Sequence, residues 1–225
     1  MMLGVLAAAI RRTVAGGTET DPYWDSVVAL LHFEGDLVDQ KGNTWSATDI
    51  SYGDPKFGSS AVVLGQSASS HIDGTLPLDT LGDFTVELWA YRRVQARGCL
   101  YSTLPSARVS GFYFDIGPDY NLRFVYYNDD YYIISTPDTI PLSKWLHLAV
   151  TKSGQTLRLF VDGLLKTSHT LTIAILPGSG TAAIGYDMTS TTRQFQGSID
   201  ELRITEGVAR YTADFTPPTK AFPDS

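Results

Sequence analysis

The chain has 225 residues and a formal net charge of −7, with 24 acidic against 17 basic side chains. Its basic residues are scattered, so it lacks the positive stripe a phosphate backbone needs, and nucleic acid is not expected as a partner. Aromatic residues at 12% and charged residues at 18%, together with 20 glycines, favour strands and tight turns over helical bundles, and the length suffices for one large β domain whose core needs no staples.

The first residues, "MMLGVLAAAIRR", hold an apolar run of only about ten residues, against about 20 for a membrane span, and its arginines follow the run. Neither an export signal nor a membrane anchor is expected. Read as a helix, Leu3, Leu6, Ile10 and Val14 share one stripe that Gly16-Gly17 ends. Residues 1–21 are therefore expected to be an arm for docking or oligomerisation, with a disordered terminus as the alternative. Pro22 marks the boundary, and the domain is expected over residues 22–223.

"SVVALLHF" opens the domain as an extended apolar run, and "EGDLVDQKGNTWSATD" is a polar loop rich in oxygen ligands. "SAVVLG" and "SHIDG" are short strand candidates. "DFTVELWAYRR" alternates cleanly, with Phe84, Val86 and Leu88 on one face and Thr85, Glu87 and Trp89 on the other. Cys99, the single cysteine, has no partner for an internal bridge and reads as a small apolar strand residue.

"GFYFDIGPDYNLRFVYYNDDYYIIST" predicts a three-stranded meander turning at "GPDYN" and "NDD". "KWLHLAVTKSGQTLRLFVDGLLKTSH" predicts two hairpins, the second closed by Asp162-Gly163. "AAIGYD" and "FQGSIDELRI" supply the last strands, after which "TEGVARYTADFTPPTKAFP" leaves the sheet as one helical turn and an extended tail. So many short alternating strands predict an all-β fold, a two-sheet antiparallel jelly-roll sandwich.

In "SIDELRI", strict alternation puts Asp200 on the face of Leu202 and Ile204, with Ile199, Glu201 and Arg203 opposite. A carboxylate on an apolar face needs a partner. Glu201 and Arg203 read as a surface pair of little energetic weight.

Taken in order, "FTVELWAY", "KWLHLAVTKSGQTLRLFVDGLL", "AAIGYD" and "FQGSIDELRITEGVARY" resemble the laminin-G-like domains of the concanavalin A-like lectin and glucanase superfamily. The opening "DPYWDSVVALLHFEGDLVDQKGN" and the closing "GVARYTADFTPPTKAFP" resemble the ends of such domains in bacteriophage virion proteins, on tails, fibres and capsid surfaces. The resemblance implies adhesion or assembly rather than catalysis, a virion location after synthesis in the host cytoplasm, other virion proteins as partners, repeated copies of the chain, and a host-surface glycan as ligand. A stand-alone carbohydrate-binding module and a glycoside hydrolase are the alternatives.

The hydrolase reading needs two carboxylates facing one groove about 5 Å apart. Asp200 and Glu201 are adjacent, while Asp115 and Asp119 flank a turn, so neither pair has that spacing and no enzyme is expected. His32, His71, His147 and His169 lie far apart, with no triad pattern. The resemblance places the first loop beside the last strand, so Asp36, Asp39 or Asn43 could share a structural calcium ion with Asp200. Otherwise Asp200 accepts N–H groups from the N-terminal strand or pairs with Lys41 or an arginine. At the "NDD" hairpin, Tyr127, Asn128, Asp129, Asp130 and Tyr131 are candidates for glycan or protein contact, and alternation sends half of the neighbouring tyrosine rings into the core.

Overall fold

A computed structural model of the chain describes residues 20–65, 67–76, 78–104, 108–188 and 193–225. The expected arm stripe of Leu3, Leu6, Ile10 and Val14 lies outside the described residues. The alternating segments pair into two antiparallel sheets. An eight-stranded sheet contains β1 (Val27–Leu31), β3 (Ser51–Gly53), β4 (Ala61–Leu64), β6 (Phe84–Arg92), β11 (Trp145–Ser153), β12 (Thr156–Val161), β13 (Leu164–Thr170) and β15 (Gly197–Glu206). Its order is β13-β12-β11-β6-β15-β4-β3, with β1 also pairing with β15. A seven-stranded sheet contains β2 (Trp45–Thr48), β5 (His71–Thr75), β7 (Gly98–Ser102), β8 (Phe112–Ile116), β9 (Asn121–Asn128), β10 (Asp130–Thr139) and β14 (Thr181–Ile184), in the order β10-β9-β8-β7-β14-β5-β2.

The period of two explains the packing. Phe84, Val86 and Leu88 of β6, Phe112 and Phe114 of β8, and Phe124 and Tyr126 of β9 meet in one core between the sheets. Thr85, Glu87 and Trp89 take the opposite face of β6, as alternation requires. The Asp162-Gly163 hairpin has both turn residues at positive φ (48° and 75°), the mirror-image turn that matches strand twist. A Cβ at Gly163 would lie 2.0 Å from the Phe215 carbonyl oxygen, so glycine also admits the tail there.

The predicted helical turn after β15 is absent. Residues 207–225 run instead as an extended strap, anchored by the Phe215 N–H donating to Gly163 O (2.9 Å) and the Arg210 N–H donating to Thr85 Oγ1 (2.9 Å). These tertiary bonds take the place of helical ones. The strap lays Tyr211, Phe215 and Phe222 around His147 and covers the outer face of the eight-stranded sheet.

Beneath it lies an ion cluster. Glu87 accepts hydrogen bonds from Arg203 (2.9 Å), His147 (3.1 Å) and Tyr211 (2.7 Å), while Asp21 accepts from Arg203 (2.9 Å) and Arg210 (2.7 Å). Burial raises the cost of charge on Glu87, but Arg203, His147 and Arg210 outweigh it and hold the carboxyl far below its usual range.

Strand β15 departs from strict alternation. Its register with β6 shifts between Asp200 and Arg203, and Glu201 sits at φ 52°. This bulge inserts one residue, so Ile199, Leu202 and Ile204 all reach the core and Asp200 does not share their face. The expected surface pair is likewise corrected, because Glu201 and Arg203 are buried and each has another partner. Glu201 accepts from His32 Nδ1 (2.8 Å) and the Phe222 N–H (2.8 Å), whereas Arg203 serves Glu87 and Asp21.

Candidate functional site

The seven-stranded sheet keeps part of its outer face open. Because Phe112, Phe114, Phe124 and Tyr126 point inward, Tyr113, Asp115, Arg123, Val125 and Tyr127 point outward from β8 and β9. Antiparallel register sets Asp115 opposite Arg123 and Tyr127 opposite Tyr131. The result is a groove of about 350 Å³ lined by Tyr113, Tyr127, Tyr131 and Ile133 together with Arg97, Arg108, Arg123 and Arg193. Its floor is the small apolar cluster of Cys99, Leu104, Tyr113, Val125 and Tyr127.

The rings form a short row. Tyr113 and Tyr127 have centroids 6.5 Å apart, and Tyr127 and Tyr131 6.3 Å apart, each pair tilted by about 40° (44° and 39°). Tyr131 and Ile133 on the outermost strand are 59% and 48% exposed, so their apolar surface faces solvent. Such a row can stack against a sugar ring while neighbouring guanidiniums donate to its oxygens.

Charge in the groove is organised around two buried acids. Asp115 accepts two hydrogen bonds from Arg123 (2.9 and 2.6 Å) and a longer one from Arg97 (3.4 Å). Asp187 accepts from Arg193 at 2.5 Å, with Arg108 at 3.9 Å. Burial disfavours charge on Arg123, but its bond to Asp115 more than compensates and holds the guanidinium ionised. Burial, with Asp115 adding to it, pushes the Tyr113 phenol up to about 12, so it stays neutral. The Cys99 thiol, fully buried, is pushed well above its ordinary value, which fits an inert strand residue rather than a nucleophile.

Of the predicted contact residues, Tyr127 and Tyr131 line this groove. Asn128, Asp129 and Asp130 form the hairpin end instead: Asn128 donates to Ala174 O (3.0 Å), Asp129 occupies the positive-φ turn position, and Asp130 accepts the Tyr131 N–H (2.8 Å). Tyr126 and Tyr132 stack 5.0 Å apart on the core side, which is the predicted division of the rings. Sequence reasoning missed Tyr113 and all four arginines. The local signal was limited to the alternation that places Arg123 outward beside Phe124; the other arginines arrive from separate loops.

Of the four residues considered for calcium, Asp39 and Asn43 bond to each other, whereas Asp36 and Asp200 have other partners. Asp39 uses both oxygens on protein donors, accepting from the Leu30 and Lys41 N–H groups (3.1 and 2.8 Å), Asn43 Nδ2 (2.8 Å) and Trp45 Nε1 (2.9 Å). Asn43 also donates to Val28 O (2.7 Å), and the exposed Asp36 accepts the Val38 N–H (3.1 Å). Asp200 Oδ2 accepts the N–H groups of Lys56 (2.7 Å) and Phe57 (3.1 Å), on the loop between β3 and β4. Its donors thus come from that loop, not from the N-terminal strand, Lys41 or an arginine. Among the described residues no three His, Cys, Asp or Glu side chains gather as a metal site.

Two packed antiparallel sheets and an open aromatic groove define a lectin-like jelly roll. The chain belongs to the Laminin_G_3 family of the concanavalin A-like lectin/glucanases superfamily, whose model matches residues 58–210. Among solved structures, it is similar to domain 4 of AbnA, a GH43 extracellular arabinanase from Geobacillus stearothermophilus, in complex with arabinotriose. The two share 24% identity and a TM-score of 0.68 over 82% of this chain and 94% of that one. The botulinum neurotoxin serotype D binding domain is similar at 17% identity and TM-score 0.64, over 83% of this chain and 49% of that one. The binding domain of Paraclostridial Mosquitocidal Protein 1 is similar at 17% and 0.66, over 82% and 49%. The chain therefore spans about half the length of the toxin domains, and at these identities the likeness is one of fold. No curated protein matches the chain.

Proposed function

We propose that the chain is a non-catalytic, glycan-binding adhesion domain of a bacteriophage virion structural protein. The observation that carries the binding role is the groove of Tyr113, Tyr127 and Tyr131 with guanidiniums beside the rings. The virion role draws on the resemblance of "DPYWDSVVALLHFEGDLVDQKGN" and "GVARYTADFTPPTKAFP" to the ends of phage tail, fibre and capsid domains. In this reading copies of the chain repeat on the particle, the segment before Asp21 docks them, Asp21 itself belonging to the domain's ion cluster, and the groove meets the host surface.

Two experiments test it. The isolated chain on a glycan array is expected to retain a defined set of saccharides and to lose them in Tyr127→Ala with Tyr131→Ala; absence of binding would sink the glycan role. The chain is also expected in density at symmetric positions on purified particles, and its absence from them would refute the virion role. A second reading, a carbohydrate-binding module apart from any virion, is favoured by the similar arabinanase domain, which was solved with arabinotriose. Glycan binding without incorporation into particles would select it.

A further inference from the structure

On the other side of the sandwich, the strap and the β3–β4 loop cover the outer face of the eight-stranded sheet row by row. Antiparallel register sets Thr151 opposite Thr85, His147 opposite Trp89, and Trp145 opposite Tyr91. The strap covers the first of these rows, where the Thr85 and Thr151 hydroxyls donate to Val208 O (2.9 Å) and Tyr211 O (2.8 Å). The next is closed by Phe215 and Phe222 against His147 and by Phe57 and Lys56 against Trp89, with the Lys56 ammonium 4.2 Å from the indole. All four of these sheet residues are buried. The last row is not closed: Trp145 and Tyr91 are only half-buried.

That row continues across the sheet, since Tyr91 also pairs with Ser198 of β15, and Ser198 with Val63 of β4. Their neighbours Leu146, Ala90, Ile199 and Val62 belong to the core, so Trp145, Tyr91, Ser198 and Val63 point outward. They line a cleft of about 470 Å³, a size suited to a small ligand, and its lining includes no strap residue. The Tyr91 and Trp145 rings lie with centroids 5.6 Å apart and planes 58° apart. At the far end of the row Gly53 leaves the space open, because a Cβ there would lie 2.9 Å from Val63 Cγ2. Asp54 and Arg93 are both exposed, and Arg93 Nη2 donates to Gly197 O (3.1 Å) and Leu64 O (3.4 Å), which holds its guanidinium in place. Among the described residues the Trp145 indole N–H, the Tyr91 and Ser198 hydroxyls and the Asp54 carboxylate have no hydrogen-bond partner.

We propose that this cleft is a second saccharide site, taking an uncharged sugar that packs on Tyr91 and Trp145 while Asp54 and Ser198 bond its hydroxyls. A sugar ring has an apolar face and a rim of hydroxyls that each donate and accept. The two aromatic rings supply a surface for the face, and an indole donor, a carboxylate acceptor and two hydroxyls that do both supply partners for the rim. A carboxylate at the cleft suits a hydroxyl and opposes a second acid. The site stands apart from the groove of Tyr127 and Tyr131, which lies on the outer face of the other sheet, and does not rest on the reading of that groove.

A printed array of neutral and acidic oligosaccharides, read with the full chain and its variants, tests this. Asp54→Ala should keep the wild-type melting temperature, because Asp54 is exposed and its carboxylate bonds no described residue. It is expected to weaken a set of neutral saccharides by about tenfold or more, the size of a lost hydrogen bond to a charged group. Trp145→Ala should lose the same set, and Tyr127→Ala with Tyr131→Ala should retain it. In NMR titration with a saccharide of that set, the Trp145 indole N–H resonance should move; an unmoved resonance would refute the contact. Array binding that neither Asp54→Ala nor Trp145→Ala alters would overturn the second site and leave the groove reading standing. Binding of no saccharide would overturn both, and weakening of acidic saccharides alone would overturn the assignment to an uncharged sugar.

Discussion

Glu201 accepts a hydrogen bond from Nδ1 of His32 at 2.8 Å, joining β15 to the end of β1 across 169 residues of sequence. The contact exists because of the bulge. With Glu201 at φ 52°, its side chain turns from the core to His32 and the Phe222 N–H, while Leu202 returns to the core one position later. A non-glycine residue at positive φ costs on the order of 1–3 kcal/mol. Two hydrogen bonds to one buried carboxylate are of the size needed to offset that cost.

His32 should titrate above its ordinary value. Burial opposes its charge, but the bond to Glu201 and the nearby charge outweigh that and raise its pKa above 6.5. With the folded value above the unfolded one, its contribution to stability is complete below about pH 6.5 and disappears as pH rises through the folded value. NMR titration of the His32 ring should show the raised pKa in the wild type. In Glu201→Gln it should fall, because burial is then opposed only by the charges of Asp224 and Glu34; an unchanged His32 titration would contradict the pairing.

Asp200 should show the opposite kind of environment. Burial, with the charge of Glu201 adding to it, pushes its carboxyl up to about 7 against the opposing Phe57, Lys56 and Glu201 N–H groups. Its folded value lies above its unfolded one, so its stabilising contribution is complete below about pH 4 and is lost as pH rises through 7. Above that, the charged form is a penalty on the order of 4 kcal/mol. Urea denaturation of wild type and Asp200→Asn across pH 4 to 8 should show the stability difference moving in favour of the variant as pH rises, with most of the change between 4 and 7. A difference independent of pH would mean that Asp200 ionises normally.

Glu87 should be among the costlier acids to remove. Its partners Arg203 and His147 are buried, and deleting one member of such a cluster strands the others, at about 3–5 kcal/mol. Lys144, 61% exposed and paired with Asp162 at 3.0 Å, serves as the comparison, since an exposed pair contributes about 0–1 kcal/mol. Urea denaturation at pH 7 should therefore separate Glu87→Ala from Lys144→Ala by several-fold in lost stability. Equal losses would show that the cluster under the strap is loosely held.

Much of the architecture was legible in the chain. Alternation in "DFTVELWAYRR" assigned the two faces of β6, Asp162-Gly163 marked its hairpin, and the "NDD" turn divided four tyrosines between core and surface as the sheets do. These are local properties, set by the period of two and by turn chemistry within a few residues. The short β2 and β3 had no such signal, because four and three residues are too few to establish a period.

The sequence by itself determined the all-β class, the family resemblance and the outward tyrosines, since each depends on neighbours along the chain. Only the tertiary structure decided where the charges went. "SIDELRI" read as a regular strand sends Asp200 with Leu202 and Ile204; the bulge reverses that, and it is stabilised by His32 and Phe222, which come near only when β1 and the strap are in place. The groove is decided in the same way. Arg97, Arg108, Arg123 and Arg193 are scattered along the chain and give no basic run, yet sheet packing assembles them beside Tyr127 and Tyr131. Strand periodicity is encoded locally, whereas the meeting of distant charges depends on register and sheet order, which no short window of sequence contains.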